Sequence, residues 1–349
     1  MSYQPPFAIT KTIQNRVAEI TEQLGGLANL QGMEQSDSDL QLRRINRIRT
    51  IQGSLAIEGN TLSEDQITAI FEGKPVIAPP REIQEARNAI EAYEQFENWQ
   101  SGNRKDLLNA HQTMMMGLID DAGQYRHRGV GVMKGDQVVH MAPQAGRVNE
   151  LMIDLLNWLK VSDAHPLIIS SVFHYEFEFI HPFSDGNGRL GRLWQTLTLS
   201  EWQAIFKYLP VESMVYANQR DYYSAINQST IDGDSAPFIE FMLDRILAAC
   251  KSTSSGGSIP TSAQVTPHVT PQVEQLLCVM QNDTSRKNLQ NALGLKDRKS
   301  FRQRYLLPAI KQGLVEMTLP NKPQSSLQKY RLTRTGMDYR ANNAQIKRK

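Results

Sequence analysis

Cysteine is scarce in this 349-residue chain: Cys250 and Cys278 are the only two. That excludes a disulfide framework and a thiolate zinc site, and it fits a reducing compartment. No stretch approaches the roughly 20 consecutive apolar residues that span a bilayer, and the opening MSYQPPFAITKTIQNRV has no apolar run behind a basic start. A soluble, cytoplasmic protein with no membrane partner is expected. Internal repeats and long low-complexity tracts are absent too. So is GxxxxGK[ST], which removes the common phosphate loop from consideration.

The charge that is present is unevenly placed. The net value is only +2, but from Thr261 to Lys349 16 basic residues face 5 acidic ones, a net +11, which leaves −9 on Met1 to Pro260. Between the two parts lies KSTSSGGSIPTSAQ, residues 251–264, a Ser/Gly/Thr-rich stretch that reads as a flexible linker. Ahead of it, LQLRRINRIRTIQGSLAI, REIQEARNAIEAYEQFENW, RKDLLNAHQTMMMGLI, NELMIDLLNWLK and PLIISSVFHYEFEFI space apolar residues by three and four, so a mainly α fold is predicted. RGVGVMKGDQVVHMAP, residues 128–143, is the exception and reads as a β-hairpin.

The polar chemistry concentrates in HPFSDGNGRLGR, residues 181–192. An apolar helix should stop at His181-Pro182, because proline disfavours helical geometry in the residue before it. A second helix resumes at GRLGRLWQTLTLS, so SDGNG is a tight loop feeding a helix N-terminus. Unpaired N–H groups and the positive end of the macrodipole make such a place an anion seat. Arg189 and Arg192 project from the first turns on nearly one face and can grip phosphate oxygens. Asp185 offers an oxygen to Mg²⁺, and His181 can take a proton from an incoming hydroxyl.

This stretch resembles the Fic motif, HPFx[D/E]GNGRxxR, at every specified position. The resemblance implies a helical domain that transfers AMP from ATP to a Ser, Thr or Tyr hydroxyl of a target protein and of the chain itself. It implies His181 as general base and Asp185 as the Mg²⁺ ligand. Asn187 with the Gly186 and Gly188 backbone would cradle the α- and β-phosphates, while Arg189 and Arg192 would hold the β- and γ-phosphates. Phe183 would be an apolar anchor. Leu190 and Gly191 complete the run, and Asn218 in YANQRDYYSAI is a further nucleotide contact, with Tyr222 and Tyr223 beside it. The hairpin resembles the flap that aligns a target's backbone by strand addition, with His140 as a flap residue. Upstream, SLAIEGN matches the family's inhibitory [S/T]xxxE[G/N]: Ser54 and Glu58 would restrain the enzyme in cis, Glu58 pairing with Arg192 at the nucleotide site.

The implied domains are an N-terminal helical region at 1–100, a Fic domain at 101–250 and, at 265–340, a winged-helix domain of three helices and a two-stranded wing. The winged helix resembles the domain attached to many bacterial Fic proteins. Arg298, Lys299, Arg302 and Arg304 on or near its third helix suit DNA or a protein partner. Removal of AMP, transfer of another phosphate-containing group, and nucleotide sensing by a DNA-binding regulator remain alternatives; an intact base favours an enzyme over a sensor. A homodimer is compatible with the sequence.

Overall fold

In the computed structural model, residues 3–31, 37–129, 131–134, 137–254, 271–280, 283–293, 301–311, 313–318, 325, 328–334, 336–337 and 339–340 are described. The chain divides into two units, Met1–Ile259 and Pro260–Lys349. Among the described residues, no helix is long and apolar enough to cross a membrane.

The first unit is helical wherever the apolar spacing predicts it: α2 (Asp37–Ile57), α4 (Pro80–Glu94), α5 (Arg104–Met115), α6 (Ala145–Val161), α7 (Pro166–Ile180) and α8 (Asn187–Trp202). Around them stand helices the sequence reading did not single out: α1 (Lys11–Gln31), α3 (Glu64–Phe71), α9 (Val211–Ala217), α10 (Gln219–Asp232) and α11 (Ala236–Ser254). α7 and α8 lie at the centre, and most side chains of α7 are buried all round. That explains why its sequence is almost continuously apolar.

Two expected boundaries move. α1 packs along α11 and places Ile13 and Ile20 in the same core as Leu243 and Ile246. Residues 1–100 and 101–250 therefore share one core, the apolar stripe of α1 being buried against α11. The predicted linker begins too early, since α11 continues through Ser254; residues 255–264 lie outside the described ones.

The hairpin is present as β1 (Gly131–Lys134) paired antiparallel with β2 (Gln137–Met141), with a register shift between Val132 and Met133. In the second unit, α12 (Pro271–Val279) and α13 (Arg286–Ala292) are followed by a π-helical stretch, Arg302–Leu306, and α14 (Leu307–Lys311). The predicted wing appears as β4 (Val315–Met317) paired antiparallel with β5 (Lys329–Leu332). β5 also pairs with β3 (Thr284–Ser285), a third strand too short to leave a sequence period. Val273, Leu277, Leu289, Phe301 and Val315 form this unit's own core. Arg302 is exposed on the π-helical stretch, whereas Arg298, Lys299 and the Arg304 side chain lie outside the described residues.

Candidate active site

The site is built where α7 hands over to α8. The N–H of His181 still donates to the Phe177 carbonyl at 2.9 Å, but φ 50 and ψ 62 put the residue in the left-handed region. It is the one non-glycine with positive φ among the described residues, a strained conformation that persists only where its surroundings hold it. Arg126 Nε donates to its carbonyl at 2.7 Å.

Beyond His181 the loop closes on itself. Asn187 Nδ2 donates to the Phe183 carbonyl and Asn187 Oδ1 accepts the Phe183 N–H, each at 2.9 Å. Phe183 is fully buried and stacks on His111 with ring centroids 3.6 Å apart. His111 Nδ1 accepts the Gly123 N–H at 2.8 Å, so Nε2 carries the proton and donates to the Asp185 carbonyl at 3.0 Å. Burial pushes the His111 pKa down to about 4, which keeps this bracing form neutral.

α8 then begins behind Gly186, whose φ of 84 suits glycine. The first helical bond runs from the Leu190 N–H to the Gly186 carbonyl at 3.0 Å, so the N–H groups of Asn187, Gly188 and Arg189 precede the helical ladder. The expected cradle is thereby altered. The Asn187 side chain is committed to Phe183, and the Gly186 N–H donates to Asp185 Oδ1 at 2.6 Å. The backbone of Asn187 and Gly188 remains for an anion. Leu190 and Gly191 are buried in the first turns; a Cβ on Gly191 would sit 3.1 Å from the His174 ring and 3.3 Å from Glu178 Oε1, so Gly191 admits α7 to close contact.

The two arginines have different partners. Arg189 Nη2 meets Asp185 Oδ1 at 3.1 Å and its Nη1 lies 3.7 Å from Glu85 Oε1. Arg81 of α4 completes a ring of alternating charge, reaching Glu85 Oε1 at 3.3 Å and Asp185 Oδ2 at 3.2 Å. Arg192 is 2 % exposed. Its Nη2 donates to Glu58 Oε1 at 2.8 Å and to the Ser54 carbonyl at 3.0 Å, and its Nε donates to Ser54 Oγ at 3.1 Å. Burial opposes its charge, but the Glu58 carboxylate, together with Tyr222 and Tyr223, more than offsets this and holds the guanidinium pKa above the ordinary arginine range. Nη1 is buried with no hydrogen-bond partner among the described residues. A Cβ built on Gly188 would lie 2.9 Å from that nitrogen and would collide with Glu58 Oε1. Glu58 therefore occupies the mouth of the helix N-terminus itself.

The approach of α2 has a visible cause. Gly53 has no Cβ to keep it from α9; one built there would come within 2.8 Å of the Ser213 backbone nitrogen. One residue later Ser54 meets Arg192. α2 ends at Ile57, and Gln219 Nε2 donates to the Ile57 carbonyl at 2.6 Å. Glu58 follows in the turn, with 36 % of its side chain exposed, so its carboxylate has solvent to move into.

Several participants were not visible in the sequence reading: Arg81, Glu85, His111, Arg126 and Glu178. Glu178 had a signal, a carboxylate in an apolar helix three residues before His181. Its Oε1 is buried without a hydrogen-bond partner among the described residues. Burial pushes its carboxyl up to about 7, with Arg192 opposing and Glu58 adding to the shift. His174 Nε2 is 3.9 Å away, but burial holds His174 down at about 3, so the two are not an ion pair. Asn218 is at the α9–α10 junction, where its Nδ2 donates to the Met214 carbonyl at 2.9 Å. Tyr222 is a packing residue, buried with its hydroxyl 3.1 Å from His174 Nε2, whereas Tyr223 is 38 % exposed. The side chains of residues 130–141, His140 among them, lie outside the described residues.

The Asp185 carboxylate is 42 % exposed on its side chain and, among the described residues, bonds only to arginines and the Gly186 N–H. No cluster of three or more His, Cys, Asp or Glu able to hold a metal occurs among the described residues. This donor set fits a Mg²⁺ shared between one carboxylate, water and substrate phosphates.

Comparison with known proteins agrees with this geometry. Residues 101–199 match the Fic/DOC family model, and residues 271–333 match that of the Filamentation induced by cAMP protein Fic-like, C-terminal domain. The chain is 30% identical over 225 residues to the protein adenylyltransferase Fic of Aedes aegypti, covering 60% of this chain and 42% of that one. It is 28% identical over 242 residues to the protein adenylyltransferase fic-1 of Caenorhabditis elegans, covering 64% and 46%. It thus spans less than half the length of these curated relatives. The crystal structure of a Fic family protein from Desulfovibrio desulfuricans superposes with a TM-score of 0.69 at 47% identity, covering 95% of this chain and 99% of that one. With that similarity along nearly the whole chain, and with the His181 to Arg192 loop folded as an anion seat, this chain belongs to the Fic family.

Proposed function

We propose that the chain is a protein adenylyltransferase that transfers AMP from ATP to a Ser, Thr or Tyr hydroxyl, and that Glu58 restrains it in cis. The observation that carries this reading is the left-handed His181 opening a loop that feeds a helix N-terminus, whose mouth and buried Arg192 are held by a carboxylate from outside the motif.

In this reading the γ-phosphate replaces Glu58 on Arg192, the β-phosphate takes Arg189, and the N–H groups of Asn187 and Gly188 hold the phosphates at the helix N-terminus. His181 accepts the proton of the acceptor hydroxyl as its oxygen bonds to the α-phosphorus, and the bond to the departing pyrophosphate breaks. Mg²⁺ on Asp185 would neutralise charge on the bridging phosphates. With Glu58 in place Arg192 is engaged and the γ-phosphate has no seat, so a bound nucleotide presents its α-phosphorus out of line, and alignment is most of phosphoryl-transfer catalysis. Asn218 and Tyr223 are the proposed nucleoside contacts. The buried Cys250 and the unpaired Cys278 suit a reducing cytoplasm. The second unit is read as a winged helix from its helices and its β4–β5 pair.

The test is intact-mass analysis of wild type and Glu58→Gly after incubation with Mg²⁺ and each of ATP, GTP, CTP and UTP. A charge-assisted hydrogen bond is worth about 1.5 to 3 kcal/mol, so Glu58→Gly should raise AMP incorporation roughly ten- to hundredfold. A variant no faster than wild type at every ATP concentration removes the restraint. A mass gain from another nucleotide instead of ATP changes the transferred group.

A further inference from the structure

We propose that Arg126 is a positioning residue that locks the flap to the catalytic loop, so that an acceptor laid along the flap arrives in register with His181. The inference rests on the AMP-transfer reading and adds to it a group that lies outside the motif.

The guanidinium of Arg126 is divided among three stretches of chain. Nε donates to the His181 carbonyl at 2.7 Å. Nη1 donates to the Arg128 carbonyl, before β1, at 2.9 Å, and Nη2 to the Pro143 carbonyl, after β2, at 2.6 Å and to the Ile180 carbonyl at 3.3 Å. The backbone joins in, since the Arg126 N–H donates to the Pro182 carbonyl at 2.9 Å. One side chain thus holds both ends of the hairpin and the last carbonyls of the helix that presents the base.

Three features mark this as more than packing. Arg126 is 2 % exposed and has no carboxylate partner among the described residues, so a full charge is buried against carbonyl oxygens alone. Burial accordingly pushes its pKa below the ordinary arginine value, a cost that a neutral side chain filling the same space would avoid. Second, two of the four carbonyls it takes, those of Ile180 and His181, lie where the chain leaves helical geometry at the strained His181. Third, only a planar fork reaches three directions at once; a lysine ammonium keeps the charge but cannot span hairpin and loop together.

The test uses the full chain in the Glu58→Gly background, with Arg126→Lys and Arg126→Gln. Self-modification with α-labelled ATP gives kcat and the KM for ATP, and hydrogen exchange is followed at residues 131–141 and 180–183. Misplacement of reacting groups by an ångström costs about a hundredfold, so Arg126→Lys should lower kcat by about that factor with KM for ATP unchanged. Exchange should accelerate in both segments together while α1 and α11 keep their protection. The proposal is overturned by wild-type kcat and exchange in Arg126→Lys, by acceleration in only one segment, or by kcat, KM and melting temperature all failing together. If Arg126→Gln does not fold, Arg126→Lys alone decides. If the Glu58→Gly chain transfers nothing, the AMP-transfer reading is lost, while the paired exchange response still decides whether Arg126 joins flap and loop.

Discussion

Arg189 and Arg192 stand one turn apart on α8, yet their surroundings differ in kind. Arg189 belongs to a four-membered ring with Asp185, Glu85 and Arg81, whose rim is exposed, Asp185 to 42 % and Arg81 to 58 % on their side chains, while Arg189 and Glu85 lie deeper at 6 % and 14 %. Arg192 is buried and answered by Glu58 and Ser54 from the end of α2. The Arg81 pairs at the rim are screened and worth about 0 to 1 kcal/mol, whereas the Arg192 guanidinium is itself buried, and leaving a buried charge without its partner costs about 3 to 5 kcal/mol. On the proposed function, the rim of the ring can therefore be rearranged by an incoming nucleotide at little cost, whereas Arg192 needs a replacement anion before it gives up its carboxylate, and restraint would be felt there.

The comparison can be broken in several ways. The largest effect should come from His181, the proposed base. His181→Ala in the Glu58→Gly background should lower transfer by about 10²- to 10⁴-fold with ATP affinity retained, measured by ³²P transfer from α-labelled ATP; wild-type-like transfer would place the base elsewhere. Next come the two carboxylates. Glu85→Ala in the otherwise wild-type chain should change transfer by no more than about fivefold, the scale of one hydrogen bond, because Arg189 keeps Asp185 at 3.1 Å, against the larger rise from Glu58→Gly. Equal activation by both would mean that restraint is shared by the ring. Arg192→Ala should cancel the gain of Glu58→Gly, since the freed seat is then missing.

A smaller effect concerns Glu178, behind Arg192. Its carboxyl titrates near 7 in the fold against an ordinary value of 4.5. The folded state thus holds a proton that the unfolded chain has released, so this contribution is complete below about pH 4.5 and is lost as pH rises through 7. Glu178→Gln stays uncharged throughout. Its melting temperature should gain on wild type between pH 5 and pH 8, by the equivalent of about 3 kcal/mol at most; a constant gap would show Glu178 ionised in both states. The smallest effect is expected in the second unit, whose +11 charge is its one feature bearing on a partner. Binding of duplex DNA by the full chain should weaken steeply with salt, and no binding at low ionic strength by fluorescence anisotropy assigns the basic face to a protein.

Most of the helices were legible because their apolar period is strong. α1 was not, since its stripe reads as structure only once α11 lies against it. β3 is two residues long and has no period at all. Within the motif, the residue types were legible but their use was not. Asn187 resembles a phosphate contact in sequence, yet its side chain closes the loop on Phe183. His111 carries no motif, yet it stacks on Phe183 and supports the Asp185 carbonyl.

What the sequence by itself determined is the charged loop at a helix N-terminus, because turn, glycines, His181, Asp185 and both arginines fall within twelve residues and local geometry assembles them. Similarity to the family motif added Glu58, which no spacing along the chain could connect to Arg192 across 134 residues. Only the tertiary structure decided how that carboxylate reaches its place, through the close approach of α2 to α9 at Gly53. It also decided that Arg81 and Glu85 face Asp185 and Arg189, and that Arg126 holds flap and loop together. These are contacts between side chains and distant backbone. Their partners are carbonyls and charges that any sequence supplies in abundance, so packing alone selects which of them meet.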